Sequence, residues 1–191
     1  MNAIDLLKQQ HREVEDLFSK IEKAEDSKKA ALFHELGSKL VGHDAIEREI
    51  FYPACEEALG LTDELGEALV EHGVVEFCLY QADQAVGQPD FDYKVTVLKE
   101  LIEHHVKEEE DEFFPKVQKA LGDEKLEALG EELEDAFEDV TSDDYHEPLF
   151  ENLRQVLVGA LKPVPKKDLD DAEAEERPSS RQKRAKTRKS A

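Results

Sequence analysis

Apolar residues recur at three- and four-residue intervals through most of the chain, the spacing of amphipathic helices. Residues 2–24 carry one broad stripe: Ile4, Leu7, His11, Val14, Leu17, Phe18 and Ile21. Ser27 is the expected N-cap of a second helical segment over residues 27–59. The turn Gly60-Leu61-Thr62 follows, and Thr62 or Asp63 caps a third segment that reaches Val86. Gly87-Gln88-Pro89-Asp90 breaks the pattern, and a fourth segment covers residues 91–121 and stops at Gly122. Pro53 and Pro115 lie near the ends of the second and fourth segments, where each should bend or interrupt its helix. Two shorter stretches follow at residues 123–137 and 148–161. The pattern predicts an all-α fold: an antiparallel up-down-up-down four-helix bundle with one or two short C-terminal helices. Beyond Lys162 the apolar pattern fails, and residues 162–191 read as a disordered charged tail after a helical domain of residues 1–161.

Polar residues interrupt each stripe at matching places. Four times a His stands four residues before a Glu: His11/Glu15, His43/Glu47, His72/Glu76 and His105/Glu109. Residues four apart share a helix face, so each pair aims an imidazole and a carboxylate the same way. The pairs sit where a bundle seam expects leucines, and a buried carboxylate without a cation is costly. Imidazole with carboxylate suits iron, manganese or zinc, and bundle cores are common metal sites. One such pair arises readily as an exposed ion contact. Four on successive helices do not, above all because two of them begin a repeat. His43 and His105 each start a run of His, three residues, Glu, five residues, Pro, with two aromatics before the Pro. His11 precedes His43 by 32 residues and His72 precedes His105 by 33, as expected of two similar helical hairpins. His104/Glu108 has the same spacing, but the repeat selects His105/Glu109. Glu15 and Glu76 are the weaker members, and His34 and His146, without such partners, read as surface residues.

Charge narrows the partners. Residues 1–161 hold 15 Lys/Arg against 41 Asp/Glu, a formal −26, and residues 162–191 hold 10 against 6, a formal +4. The acidic body repels nucleic acid and anionic membranes, so nucleic-acid contact is expected only through the basic run of residues 177–189, if at all. No apolar run is long enough to span a bilayer, and the first residues lack the pattern of a signal peptide. Cys55 and Cys78 have no disulfide or metal-ligand spacing and read as small core residues. The expected location is the cytoplasm.

On His11, the motif His43-x-x-x-Glu47, His72 and the motif His105-x-x-x-Glu109, residues 1–160 resemble the hemerythrin-like family, the HHE cation-binding domain. The resemblance implies a bundle around two non-haem iron ions. It implies that His11 and His43 ligate one iron, His72 and His105 the other, and that Glu47 and Glu109 bridge them. Oxygen-carrying members have a further His four residues after the one matching His72, where this chain has Glu76. That difference shifts the expectation from reversible oxygen carriage toward sensing, redox or peroxide chemistry, with Glu76 completing the second iron or leaving a position open.

The sequence-based expectation is therefore a non-haem di-iron protein that binds dioxygen, nitric oxide or peroxide. Two alternatives stand beside it. Iron storage or detoxification is one, although ferritin-like bundles use Glu-x-x-His and no His here has a Glu three residues before it. A metal-free helical module that binds a partner is the other.

Overall fold

The computed structural model describes residues 1–142 and 144–157. All secondary structure among them is helical. The first helix, α1 (Ala3–Lys23), begins at Asn2, whose side chain accepts from the Asp5 N–H. Helix α2 (Asp26–Ile46) starts after Glu25, so the expected cap at Ser27 falls inside the first turn. Asp26 supplies the first-turn carboxylate that favours a helix start there. Helix α4 (Asp63–Asp83) starts at Thr62, whose hydroxyl accepts from Leu65 N–H at 3.2 Å, as one of the two expected caps.

Neither Pro53 nor Pro115 ends its helix. A single π-helical turn precedes each, at Glu47–Phe51 and Glu109–Phe113, and helices α3 (Tyr52–Leu59) and α6 (Phe114–Thr141) continue from there. The fifth helix, α5 (Phe91–Glu108), feeds directly into the second of these turns. The physical reason is local. A proline ring clashes with the carbonyl four residues back and offers no N–H to it. Widening the preceding turn relieves both problems: Tyr52 N–H bonds Glu47 O, and Phe114 N–H bonds Glu109 O, each five residues back.

Gly122 stops the fourth segment as expected: its φ of 72° and ψ of 170° are not helical, and the second limb of α6 begins beyond that kink and runs to Thr141. Only glycine takes that backbone conformation freely. The expected helix over residues 123–137 is thus the second limb of α6. The last one is α7 (His146–Leu157); the end predicted at Leu161 and the predicted tail lie outside the described residues.

Packing follows the stripes. Helix α1 lies on α2, with Lys39 bonded to Glu13, and on α5, with Lys99 bonded to Glu22 and Arg12 to Glu110. Helix α4 lies on α5, with Glu71 bonded to His105. These pairs run antiparallel. The second limb of α6 covers α1 and α2, and α7 packs on α4. Two apolar clusters result. One gathers Phe18, Phe33, Leu36, Leu79, Leu98 and Leu149; the other gathers Leu7, Phe51, Leu65, Phe113, Phe114 and Leu126. Fully burying such side chains stabilises by about 1.5–3 kcal/mol each. Between the clusters lies a layer of buried polar residues. Among the described residues, no helix is long and apolar enough to cross a membrane.

Candidate metal centre

The buried polar layer consists of Gln10, His11, His43, Asp44, Glu47, His72, Glu76, His105 and Glu109. Four helical segments deliver it. His11 comes from α1, His43 from α2, His72 from α4 and His105 from α5, while Glu47 and Glu109 open the two π turns.

The imidazoles meet in pairs. His11 Nε2 faces His43 Nε2 at 3.2 Å, and His72 Nε2 faces His105 Nε2 at 3.0 Å. The carboxylates then tie the pairs together. Glu47 lies 3.3 Å from His43 and 3.4 Å from His72; Glu109 lies 3.4 Å from His11 and 3.6 Å from His105. Each glutamate thus touches one histidine of each pair. His11, His43, Glu47 and Glu109 bring ligand atoms within 4.8 Å of one another, and so do Glu47, His72 and His105.

The outer nitrogens are held as well. His43 Nδ1 bonds Gln10 at 2.7 Å, His72 Nδ1 bonds Asp44 at 2.6 Å, His105 Nδ1 bonds Glu71 and His11 Nδ1 bonds Glu110, both at 2.9 Å. An acceptor on each Nδ1 fixes the proton there and leaves the Nε2 lone pair pointing inward, the arrangement typical of metal-ligating histidines. Sequence reasoning missed these four partners. The signal was present nonetheless, since each neighbours an expected ligand in the chain: Gln10 beside His11, Asp44 beside His43, Glu71 beside His72, Glu110 beside Glu109.

Crowded together in this buried layer, the groups shift one another's protonation in opposite directions. Burial and the nearby Glu109 push Glu47 up to about 8. Burial also works against the charge on Glu109, but His105 and His11 outweigh it and hold that carboxyl at about 2. Burial lowers His43 to about 4. His105 feels the same burial, yet Glu109 and the bond from Glu71 raise it to about 9. One carboxyl oxygen each of Glu47, Glu109 and Glu76 is buried with no hydrogen-bond partner. Orphaned buried acceptors are rare and costly. A cation between the facing Nε2 atoms and the orphaned oxygens of Glu47 and Glu109 would satisfy those groups, so the residues present fit a metal. Nitrogen and oxygen donors of this type suit iron, manganese or zinc.

Two expected positions behave differently. Glu15 is exposed and pairs with Arg12 at 3.2 Å, so the first His/Glu pair does not share the centre. One turn of α1 carries Glu15 past the seam toward solvent. Glu76 is buried, but its carboxylate takes a bond from Arg48 at 3.0 Å and falls outside both tight ligand clusters. Burial, chiefly, raises it to about 8, with Asp44 adding to the rise and Arg48 opposing it. His104 is exposed and contacts Glu71 and Glu108 on the surface, consistent with the choice of His105. His34 and His146 lie away from the centre. Cys55 is buried, with its thiol pushed up to about 12 by that burial, and Cys78 is half-buried; both are free.

Tyr52 enters the centre although the sequence reading treated it only as one of the repeat aromatics. Its O–H donates to Glu109 at 2.9 Å, with His72 Nε2 at 3.0 Å and Glu47 at 3.4 Å. Five residues after Glu47, it would lie on another face of an α-helix; the π turn brings it round. The corresponding residue of the second half is Phe114, which stacks on His11 with ring centroids 6.0 Å apart. Beside the histidines, Val14, Leu40, Val75, Leu79, Ile102 and Val106 line an apolar cavity of about 40 Å³.

The comparisons agree with this geometry. A crystal structure of a hemerythrin HHE cation-binding domain-containing protein from Mycobacterium kansasii superposes with a TM-score of 0.70 at 27% identity, covering 80% of this chain and 99% of that one. A protein of Nostoc sp. described as a DNA nickase is 26% identical over 138 residues, which is 71% of this chain but only 39% of that protein. The model of the hemerythrin HHE cation-binding domain matches residues 2–117, the stretch that carries His11, His43, His72, His105, Glu47 and Glu109. The chain belongs to the hemerythrin HHE cation-binding domain family.

Proposed function

We propose that the chain is a four-helix, up-down-up-down di-iron protein whose centre binds dioxygen or a related small ligand, nitric oxide or peroxide. The observation that carries this reading is the bridging geometry: each of Glu47 and Glu109 touches one histidine from each facing pair. On this reading His11 and His43 would hold one ion and His72 and His105 the other, with Glu47 and Glu109 available to both. When bound, two iron ions supply electron exchange and positions for a small ligand.

The chain's own residues set the rest. A cavity of about 40 Å³ has room for a water or a diatomic gas beside the histidines. Its aliphatic wall keeps bulk water from the histidines. Tyr52 places an O–H at the His72/His105 half, where it can donate a hydrogen bond; burial, chiefly, holds its proton well beyond the ordinary phenol range. The Phe114 half has no such donor. Arg48 keeps Glu76 at the cavity wall, which supports a regulating role for Glu76 next to the ligands. Glu76 stands where oxygen-carrying members have a His, and on that difference sensing or redox turnover is preferred to reversible carriage.

The deciding experiment reconstitutes purified protein with ferrous iron under nitrogen, measures iron per chain, then follows absorbance after mixing with oxygen. About two irons per chain and a spectrum that changes with oxygen are expected. Metal content near zero after reconstitution overturns the reading. A stable oxygen adduct that vanishes on purging would replace sensing or turnover with carriage.

A further inference from the structure

The second place where histidines converge is far from the centre. His34 of α2, Asp144 of the link after α6 and His146 of α7 bring ligand atoms within 4.8 Å of one another. His34 lies nine residues before His43, which is about 13 Å along the helix. We propose that His34, Asp144 and His146 form a surface site for a divalent cation of the zinc class, separate from the buried centre.

Three observations carry it. First, His34 comes from a segment distant in the chain from Asp144 and His146, so helix periodicity does not account for its meeting them. The rings of His34 and His146 have centroids 6.1 Å apart, and Nδ1 of His146 faces the Asp144 carboxylate. Second, the other nitrogen of His146 is already engaged: Nε2 lies 3.2 Å from Asp83 Oδ1, and Asp83 also accepts the Tyr145 O–H at 2.7 Å. A carboxylate that orients the far nitrogen is the outer support of metal-ligating histidines. Asp83 comes from the end of α4 and is largely buried, so that support is fixed by the fold. Third, the donor set is right. Two imidazoles and one carboxylate, completed by water, match zinc in an open four-coordinate site. Bonds of 2.0–2.2 Å set ligand atoms about 3.4 Å apart, which rotation of the exposed His34 and Asp144 side chains reaches from the present spread.

A cation here ties the α6–α7 link to α2, while Asp83 ties the same histidine to α4. The site therefore clamps the C-terminal helix, whose Asn152 reaches Asp44 and, through it, His72.

The test uses the tag-free, iron-loaded full chain. Zinc is titrated calorimetrically into the native protein and into the His34→Ala/His146→Ala variant, with iron assayed before and after. One zinc per chain is expected in the native protein, absent in the variant, with iron unchanged in both. Asp83→Asn should weaken zinc about 10–100-fold. Equal uptake by native and variant protein, no uptake by either, or uptake matched by iron release overturns the site. Should the double variant lose helicity, footprinting of the native protein with diethylpyrocarbonate decides. Zinc must then protect His34 and His146 while leaving the exposed His104 reactive; equal reactivity with and without zinc overturns the proposal.

Discussion

Tyr52 and Glu109 are 57 positions apart in the chain, yet the phenol donates to the buried carboxylate at 2.9 Å. That bond joins the start of α3 to the second π turn across the centre and is not repeated in the other half, where Phe114 stands at the matching place. Tyr52→Phe should leave helicity intact and remove the O–H that serves Glu109. Losing a donor to a buried carboxylate costs about 1–3 kcal/mol. Urea denaturation of metal-free protein should show that loss, whereas Phe114→Leu should change stability by repacking alone. An unchanged midpoint in Tyr52→Phe would mean the bond adds nothing net.

Gln10 and Glu71 hold matching histidines with different charge. Gln10 bonds His43, which burial lowers to about 4; Glu71 bonds His105, which lies at about 9 because Glu109 and Glu71 overcome the same burial. An outer carboxylate strengthens its histidine as a ligand, and changing such a partner typically costs 10–100-fold in metal affinity. Glu71→Gln should therefore weaken iron retention about 10–100-fold in a chelator competition, and Gln10→Glu should strengthen it. His104→Ala, one residue from His105 but exposed, should leave retention unchanged.

Gly37 sits under the Tyr145 ring. A Cβ there would lie 2.5 Å from Tyr145 Cζ, and Tyr145 is buried and anchored by its bond to Asp83. Crowding a packed site costs about 1–3 kcal/mol, against a helix-propensity gain of about 1 kcal/mol for alanine over glycine. Gly37→Ala should be net destabilising by on the order of 1 kcal/mol. Gly66→Ala, with nothing within 4 Å of the added methyl, should stabilise by about 0.5–1 kcal/mol. Thermal unfolding of both variants checks the opposite signs.

The −26 of residues 1–161 opposes nucleic acid, so contact is expected only through the basic run of residues 177–189, if at all. If that run makes such contact by charge, the full chain should bind DNA at most weakly and lose the binding steeply with salt, and a chain ending at Leu161 should not bind; identical null curves would eliminate the idea. Fluorescence anisotropy at low salt compares the two. Iron content should be equal in both; its loss on truncation would make residues 162–191 part of what holds the centre.

What the sequence determined is what helix periodicity carries. Apolar stripes of period 3.6 placed the helices to within a few residues, and the same period put His11, His43, His72, His105, Glu47 and Glu109 on inward faces. The repeat of His, three residues, Glu and a later Pro singled out His105 over His104. Tertiary structure decided what periodicity cannot carry. Glu15 and Glu76 share the His-x-x-x-Glu spacing, but Glu15 faces solvent beside Arg12 of its own helix, and Glu76 is taken by Arg48 from the first π turn, a pairing that packing decides. The prolines read as helix breaks became π turns, since bonds five residues back relieve the ring without ending the helix. That change of period swung Tyr52 into the centre, off the face an α-helix gives it. His34 and His146 read as isolated because they lie on α2 and α7, far apart in the chain, and meet only through the packing of the fold. Spacing along one helix is local and is written in the chain; contacts between helices depend on how the stripes pack, and only the fold fixes them.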